Sequence, residues 1–452
     1  MPATHRNLCF AAAMCATLGL SATPHAAETA APRAAGAPAL RVGVAKVDIT
    51  PQSLVKVNPN DFGDFVGVHD PIFARVLVLD DGRTTAALVS LDLNQAGDTR
   101  AVRERIQREV GIPADNVMIS VTHNHSAPML GKPSAGGVAK SMGAETDAYT
   151  ATVNDSMVAA LKQARSSLQP ARMGSGAGHA DINVNRDLYT SKGYVYGHNV
   201  DGPSDKTVWV LKFETAAGEP LALLFNYGVH PVTTRRERMV SGDIPGAAER
   251  YVEQQSGGKV VALWTLGPAG DQDPKVYDLP PGGSAAAAKD PRPGNYDIMN
   301  AQGFMIGAEV VRVAAEIRPS VSAPKLEAAQ RVITCPFKPN VRDVQYFLPG
   351  EGDPAKLTGM PVRLGLILID RVALAAVSGE VLTNIYYHLR KASPLQETIL
   401  VSMANDNSGY LVEDAAYDKP SQPTRGTAAA RGCVENGIVN GLTEMIDTAL
   451  RK

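Results

Sequence analysis

From residue 40 to its end the sequence alternates short apolar runs of strand type with amphipathic stretches of helical period, and that alternation is its strongest constraint on fold. The strand-type runs are Val42–Asp48, Arg75–Leu79, Thr85–Leu91, Val117–Val121, Val208–Phe213, Ala222–Tyr227, Val260–Leu266, Val362–Ile369, Val372–Val377 and Thr398–Met403. Helical period covers Thr99–Val110, Ala144–Leu168, Ala247–Gln255, Ile298–Ile317, Val381–Lys391 and Ala430–Arg451. The pattern predicts an α/β protein with a mixed β-sheet core flanked by helices. A chain of 452 residues has room for two or three domains or one large α/β domain. No internal repeat, charge block or shift in composition marks a boundary, so residues 40–452 read as one domain. The stretch Asp278–Asn295, rich in Pro, Gly, Ala and Asp, reads as an exposed loop, either a plain surface insertion or a lid over a site.

Residues 1–27 have the grammar of a secretory signal. His5 and Arg6 make a short basic start, an apolar stretch runs from Leu8 to Leu20, and small residues end it at Ala26–Ala27. Residues 28–39, rich in Ala and Pro without apolar period, read as a flexible linker. The expectation is a secreted or periplasmic protein. No apolar run beyond residue 30 reaches the about 18 residues of a membrane span, so no transmembrane segment is expected in the mature chain. Lys plus Arg total 44 against 46 for Asp plus Glu, a balance without the basic excess that marks a nucleic-acid binder. Cys9 and Cys15 leave with the signal; Cys335 and Cys433 remain. In an oxidising compartment two such thiols pair or stay separately buried, and the sequence leaves both open.

The candidate chemistry sits where strands end. Val117–Val121 runs into Thr122-His123-Asn124-His125-Ser126-Ala127-Pro128. On an extended backbone His123 and His125 would share one face beyond the carboxyl end of the strand, where open α/β sheets place ligands. Imidazole is a common zinc ligand, and an open zinc position activates water. The strand Ala222–Tyr227 ends in Gly228-Val229-His230-Pro231, Val260–Leu266 in Gly267-Pro268-Ala269-Gly270-Asp271-Gln272-Asp273-Pro274, and Val372–Val377 in Ser378-Gly379-Glu380. A core histidine or a helix cap explains any one of these phrases; it explains all of them together less well.

Together with Val42–Pro51, Asn183-Val184-Asn185-Arg186, Ser241–Gly246 and Asn405–Tyr410, these phrases resemble the neutral ceramidase family across nearly the whole mature chain. The resemblance implies a Zn²⁺ cofactor held by His123, His230, Glu380 and Tyr410. It implies a catalytic histidine at His125 and an active-site arginine at Arg186, which with zinc would stabilise the developing oxyanion. Asp243, in the Ser-Gly-Asp-Ile-Pro-Gly phrase, either braces a ligand or holds a turn.

The sequence departs from the family at three points. Asp273 stands where the family carries a serine, and there it could serve as a base toward water or hold the water in place. Gln422 stands where the family has a second tyrosine, and the chain ends after Ala430–Arg451 rather than continuing into the family's C-terminal β domain. The implied function is therefore an exported zinc hydrolase of diverged type. It would cleave an N-acyl amide, of a ceramide-like lipid or another acylated amine, through metal-activated water, with His125 as general acid/base. Two alternatives remain at this stage: an esterase, lactonase or glycosidase with the same metal acting on an envelope or extracellular polymer, or a non-catalytic binding protein. The expected partner is a small-molecule or lipid substrate, with no nucleic acid; oligomeric state is not legible.

Overall fold

The computed structural model describes residues 39–58, 63–130, 143–277, 295–339 and 358–452. The expected leader and all but the last residue of the linker lie outside these residues, as does the stretch 278–294 considered as a lid. Among the described residues no helix is long and apolar enough to cross a membrane.

Twelve of the nineteen strands among the described residues form three four-stranded arrays of identical connectivity, and the others pair in small two- and three-stranded ribbons. The first runs Arg41–Asp48, Phe73–Asp80, Thr85–Leu91 and Val117–Val121. The second runs Gln169–His179, Thr207–Thr215, Pro220–Tyr227 and Val261–Leu266, and the third Leu326–Cys335, Met360–Ile369, Val372–Val377 and Glu397–Val401. In each array the first three strands are antiparallel and the fourth pairs parallel with the third. A parallel neighbour needs a crossover, and a helix supplies it each time: Arg100–Val110, Asp243–Gln255 and Thr383–Ala392. A second long helix follows each fourth strand: Gly143–Ser166, Asn295–Glu316 and Val434–Arg451. The first two arrays join edge to edge through only two residue pairs, Arg41 with Pro170 and Val42 with Gln169.

Period-two alternation explains the layering. Leu77, Leu79 and Leu88 of the first array, Leu211, Phe213 and Leu224 of the second, and Ile367, Leu374 and Ile399 of the third bury one shared interior. Their alternate neighbours face outward onto helices. Val76, Val78 and Val89 meet Ile106 and Leu161; Val210, Phe225 and Trp264 meet Ile244 and Val310; Val362, Leu364 and Val377 meet Ile385 and Ile438. The mixed sheet core flanked by helices is therefore as expected, whereas the threefold repeat was invisible in the sequence. Burial on both faces demands only apolar residues of about the right size, in any order.

Gln169–His179 was not expected as a strand, because Gly174, Gly176 and Gly178 break its period. The helix Asn295–Glu316 and Ile317 lie so close that a Cβ at Gly174 would fall 2.7 Å from Ile317 Cγ2. The structure also brings Cys335, ending its strand, and Cys433, which precedes the last helix, together at disulfide distance with Cα atoms 5.5 Å apart across 98 residues.

One buried charge cluster ties the first array to the second. Arg75, fully buried, places Nη1 2.7 Å from Asp92 Oδ2 and 2.7 Å from Glu249 Oε2 on the helix Asp243–Gln255. Glu249 also accepts a hydrogen bond from the Trp264 amide at 2.9 Å. Burial pushes the Glu249 carboxyl well up, with the Arg75 charge opposing. Arg75→Met strands two buried carboxylates and is expected to lower unfolding stability by about 3–5 kcal/mol, read by chemical denaturation.

Candidate metal centre

The three arrays deliver their functional side chains from strand carboxyl ends to one place. His123 follows the fourth strand of the first array, His230 the third strand of the second, and Glu380 the third strand of the third. Backbone hydrogen bonds lock the emerging loops together: His125 N to Pro231 O at 3.0 Å, His230 N to Gln272 O at 3.0 Å, Gly270 N to Val381 O at 3.0 Å and Glu380 N to Gly409 O at 2.9 Å.

The same tether orients both buried imidazoles. Nδ1 of His123 is 3.0 Å from the Asn94 carbonyl oxygen, and Nδ1 of His230 is 2.6 Å from that of Ala269. A carbonyl only accepts, so each Nδ1 donates, and in the neutral imidazole the lone pair is then on Nε2. Both Nε2 atoms face one carboxylate oxygen: Glu380 Oε2 lies 3.0 Å from His230 Nε2 and 3.5 Å from His123 Nε2. Tyr410 is the register partner of Glu380 in a two-residue parallel bridge, Glu380–Val381 with Tyr410–Leu411. His125 closes the group, its ring centroid 4.9 Å from that of His123 and 5.8 Å from that of His230. Ligand-type atoms of His123, His125 and His230 all lie within 4.8 Å of one another. Two donor sets thus share His123 and His230, one completed by His125 and one by Glu380 and Tyr410. Imidazole nitrogens with carboxylate and phenol oxygens are the donor types a zinc ion takes.

The histidine pair does not meet by the expected route. The strand stops at Val121, and His123 adopts a left-handed backbone with φ 62°. A side-chain-bearing residue pays for that conformation, and such strain concentrates at functional sites. Asn124 stabilises the turn, its Oδ1 accepting from Ser126 N at 2.8 Å and its Nδ2 donating to the Ser241 carbonyl.

Burial and neighbouring charges act on the group together. Burial and the positive charge of Arg186 hold His230 below its ordinary value. Burial, then the neighbouring His123 and His230, take His125 well below it. Burial alone would raise Glu380, but the two histidines override it and hold the carboxyl well below the usual range. Burial pushes the Tyr410 phenol up, with Arg186 opposing and the Glu380 charge adding to the rise.

Arg186, on the strand Asn183–Thr190, lies against this group. Nη2 donates to Tyr410 Oη at 2.9 Å and to the Gly270 carbonyl at 2.7 Å, and Nη1 donates to Asp273 Oδ1 at 3.1 Å. The rings of Tyr196 and Tyr410 each centre 5.5 Å from the guanidinium carbon. Asp273 is fully buried, and its Oδ2 accepts from Tyr196 and from Tyr277, the latter at 2.5 Å. Burial would raise Asp273, but Arg186, His230 and the two phenol donors together hold it below its ordinary value. Asp243 Oδ2 accepts from Thr234 N and Oγ1, both at 3.0 Å, and so fixes the loop that runs past His125. Gln422 opens a short helix, Gln422–Gly426, that packs against Tyr410.

Sequence reasoning missed Tyr196 and Tyr277, which sit in polar stretches without a motif. It also missed the carbonyls of Asn94 and Ala269, which no side-chain pattern can announce. A signal was nonetheless present for Asn94: it ends the third strand of the first array as His230 and Glu380 end theirs.

The profile of the neutral/alkaline non-lysosomal ceramidase N-terminal region matches residues 40–288, more than half of the chain. Neutral ceramidase A of Dictyostelium discoideum is 28% identical over 207 residues, covering 42% of this chain and 27% of that protein. Neutral ceramidase of Pseudomonas aeruginosa is 27% identical over 260 residues, covering 54% of this chain and 38% of that protein. The match therefore spans well under half the length of these relatives. The crystal structure of the Pseudomonas aeruginosa neutral ceramidase has the same fold, with a TM-score of 0.68 at 17% identity over 92% of this chain and 75% of that one. The chain belongs to the neutral/alkaline non-lysosomal ceramidase family.

Proposed function

We propose that the protein is an exported zinc-dependent amidase that hydrolyses N-acyl amides of the ceramide type, or of a related acylated amine. The observation that carries this reading is the aim of two tethered imidazole Nε2 atoms at the Glu380 carboxylate, with Tyr410 beside it. Family membership and the printed names of the relatives support ceramide as the substrate class. The leader at residues 1–27 and the Cys335–Cys433 pair support a place outside the cytoplasm.

In this reading His123, His230, Glu380 and Tyr410 would hold zinc. A zinc ion so held supplies a Lewis acid that polarises the acyl oxygen and acidifies water. His125, kept neutral by burial, takes a proton from the attacking water and delivers it to the leaving amine nitrogen. Arg186 fixes the Tyr410 hydroxyl and lends its charge to the acyl oxygen as negative charge develops there. Asp273 is assigned to positioning. Both of its oxygens are engaged, one by Arg186 and one by two phenols, which favours anchoring the guanidinium over acting as a base.

Purified protein is expected to release fatty acid from ceramide or a simpler N-acyl amine, to stop after dialysis against a chelator and to recover with zinc; zinc-loaded protein that cleaves no N-acyl amide refutes the assignment. Glu380→Gln is expected to lower zinc content and turnover together, measured by elemental analysis after dialysis and by fatty-acid release. Asp273→Asn is expected to keep its zinc and its KM while kcat falls by about 10–100-fold, because Arg186 loses its anchor. An unchanged kcat removes the positioning role.

A further inference from the structure

We propose that Arg235 forms an anion subsite beside this centre, so that the preferred substrate is an N-acyl amide bearing a carboxylate or comparable anion beside the scissile bond. The inference deepens the amidase reading and rests on it for the bond that is cut.

The support begins with the backbone. Residues 233–236 form a turn beside the histidine loop. Thr234 Oγ1 lies 2.8 Å from Ser126 Oγ, Asp243 fixes the Thr234 amide and hydroxyl, and the Pro231 carbonyl accepts from the His125 amide. Arg235 is the next residue on that turn, so the base of its side chain is placed by the same contacts that place His125.

The second observation is charge without a counterion. Arg235 is half-buried, yet among the described residues it makes no ion pair and no side-chain hydrogen bond. Its charge is nevertheless felt by His125 and by Tyr196, which stand on different loops of the centre. Arg186, at the centre, is by contrast paired with Asp273. Among the described residues the Arg235 guanidinium thus lacks a counterion in a partly desolvated place, where a cation is costly unless a ligand supplies the anion. A planar guanidinium with free donors matches a carboxylate by paired hydrogen bonds. A neutral ceramide offers Arg235 no such group; an N-acyl amino acid does.

The test uses zinc-loaded protein with two compounds that differ only in charge, N-dodecanoylglycine and N-dodecanoylglycinamide. A third compound, the phosphate ester of N-dodecanoylethanolamine, separates a phosphate from a carboxylate as the anion. Binding is read by calorimetry and hydrolysis by release of dodecanoate. The acid is expected to exceed the amide by about tenfold or more in affinity and in kcat/KM, the contrast to collapse in Arg235→Gln, and part of it to return in Arg235→Lys. Preference for the phosphate ester that is likewise lost in Arg235→Gln upholds the subsite and names phosphate as its ligand. Equal binding of acid and amide, or a contrast that survives Arg235→Gln, overturns the proposal. Equal hydrolysis of acid and amide leaves the amidase reading standing without the subsite. Charge-selective binding through Arg235 with no hydrolysis of any of the three leaves the subsite standing without the amidase.

Discussion

The centre depends on a backbone constraint rather than on its side chains alone. A histidine has two nitrogens, and only one can be offered to a metal while the other is protonated. The carbonyls of Asn94 and Ala269 decide the matter for His123 and His230 by occupying Nδ1. With that proton placed, the lone pair of each neutral ring is on Nε2, and both Nε2 atoms face Glu380. Each orienting carbonyl sits on the strand end adjacent to the histidine it holds, so any shift of strand register would turn the rings away.

The threefold repeat explains why these groups meet. In every array the third and fourth strands run parallel, so their carboxyl ends emerge side by side. Three such pairs around a shared apolar interior bring six loop starts to one end of the molecule. The third-strand positions carry Asn94, His230 and Glu380; the fourth-strand positions lead to His123, the Ala269–Asp273 phrase and the Asn405–Tyr410 phrase. The repeat thus supplies symmetric scaffolding and the sequence fills it asymmetrically, with different chemistry at each equivalent position. Local strain gathers at the same end: His123, Asp243, Met403 and Asn405 all hold left-handed backbone angles.

How much of this was legible follows from what each residue had to satisfy. The strongly apolar strands, such as Thr85–Leu91 and Pro220–Tyr227, are buried on both faces and wrote their presence plainly. The residues His123, His125, His230 and Glu380 were readable because each follows such a strand. The hairpin Asn183–Thr190 with Gly193–Asn199 was not, because its strands are polar and partly buried against the centre rather than in the core. That is the hairpin that carries Arg186 and Tyr196. The reading of Asp273 also depended on partners. As a lone carboxylate in place of a serine it suggested a base toward water or a group that holds the water in place; its contacts with a guanidinium and two phenols were not legible.

The central claim is that His123, His230, Glu380 and Tyr410 surround one divalent cation while His125 stands outside that ligand set and transfers protons. Anomalous diffraction from crystals of the protein, collected on both sides of the zinc absorption edge, tests it directly. The account predicts a single zinc peak within about 2.0–2.2 Å of His123 Nε2, His230 Nε2 and a Glu380 oxygen, facing the Tyr410 hydroxyl. A peak coordinated by His125 with Glu380 beyond bonding distance, or a zinc bound elsewhere in the molecule, would contradict it.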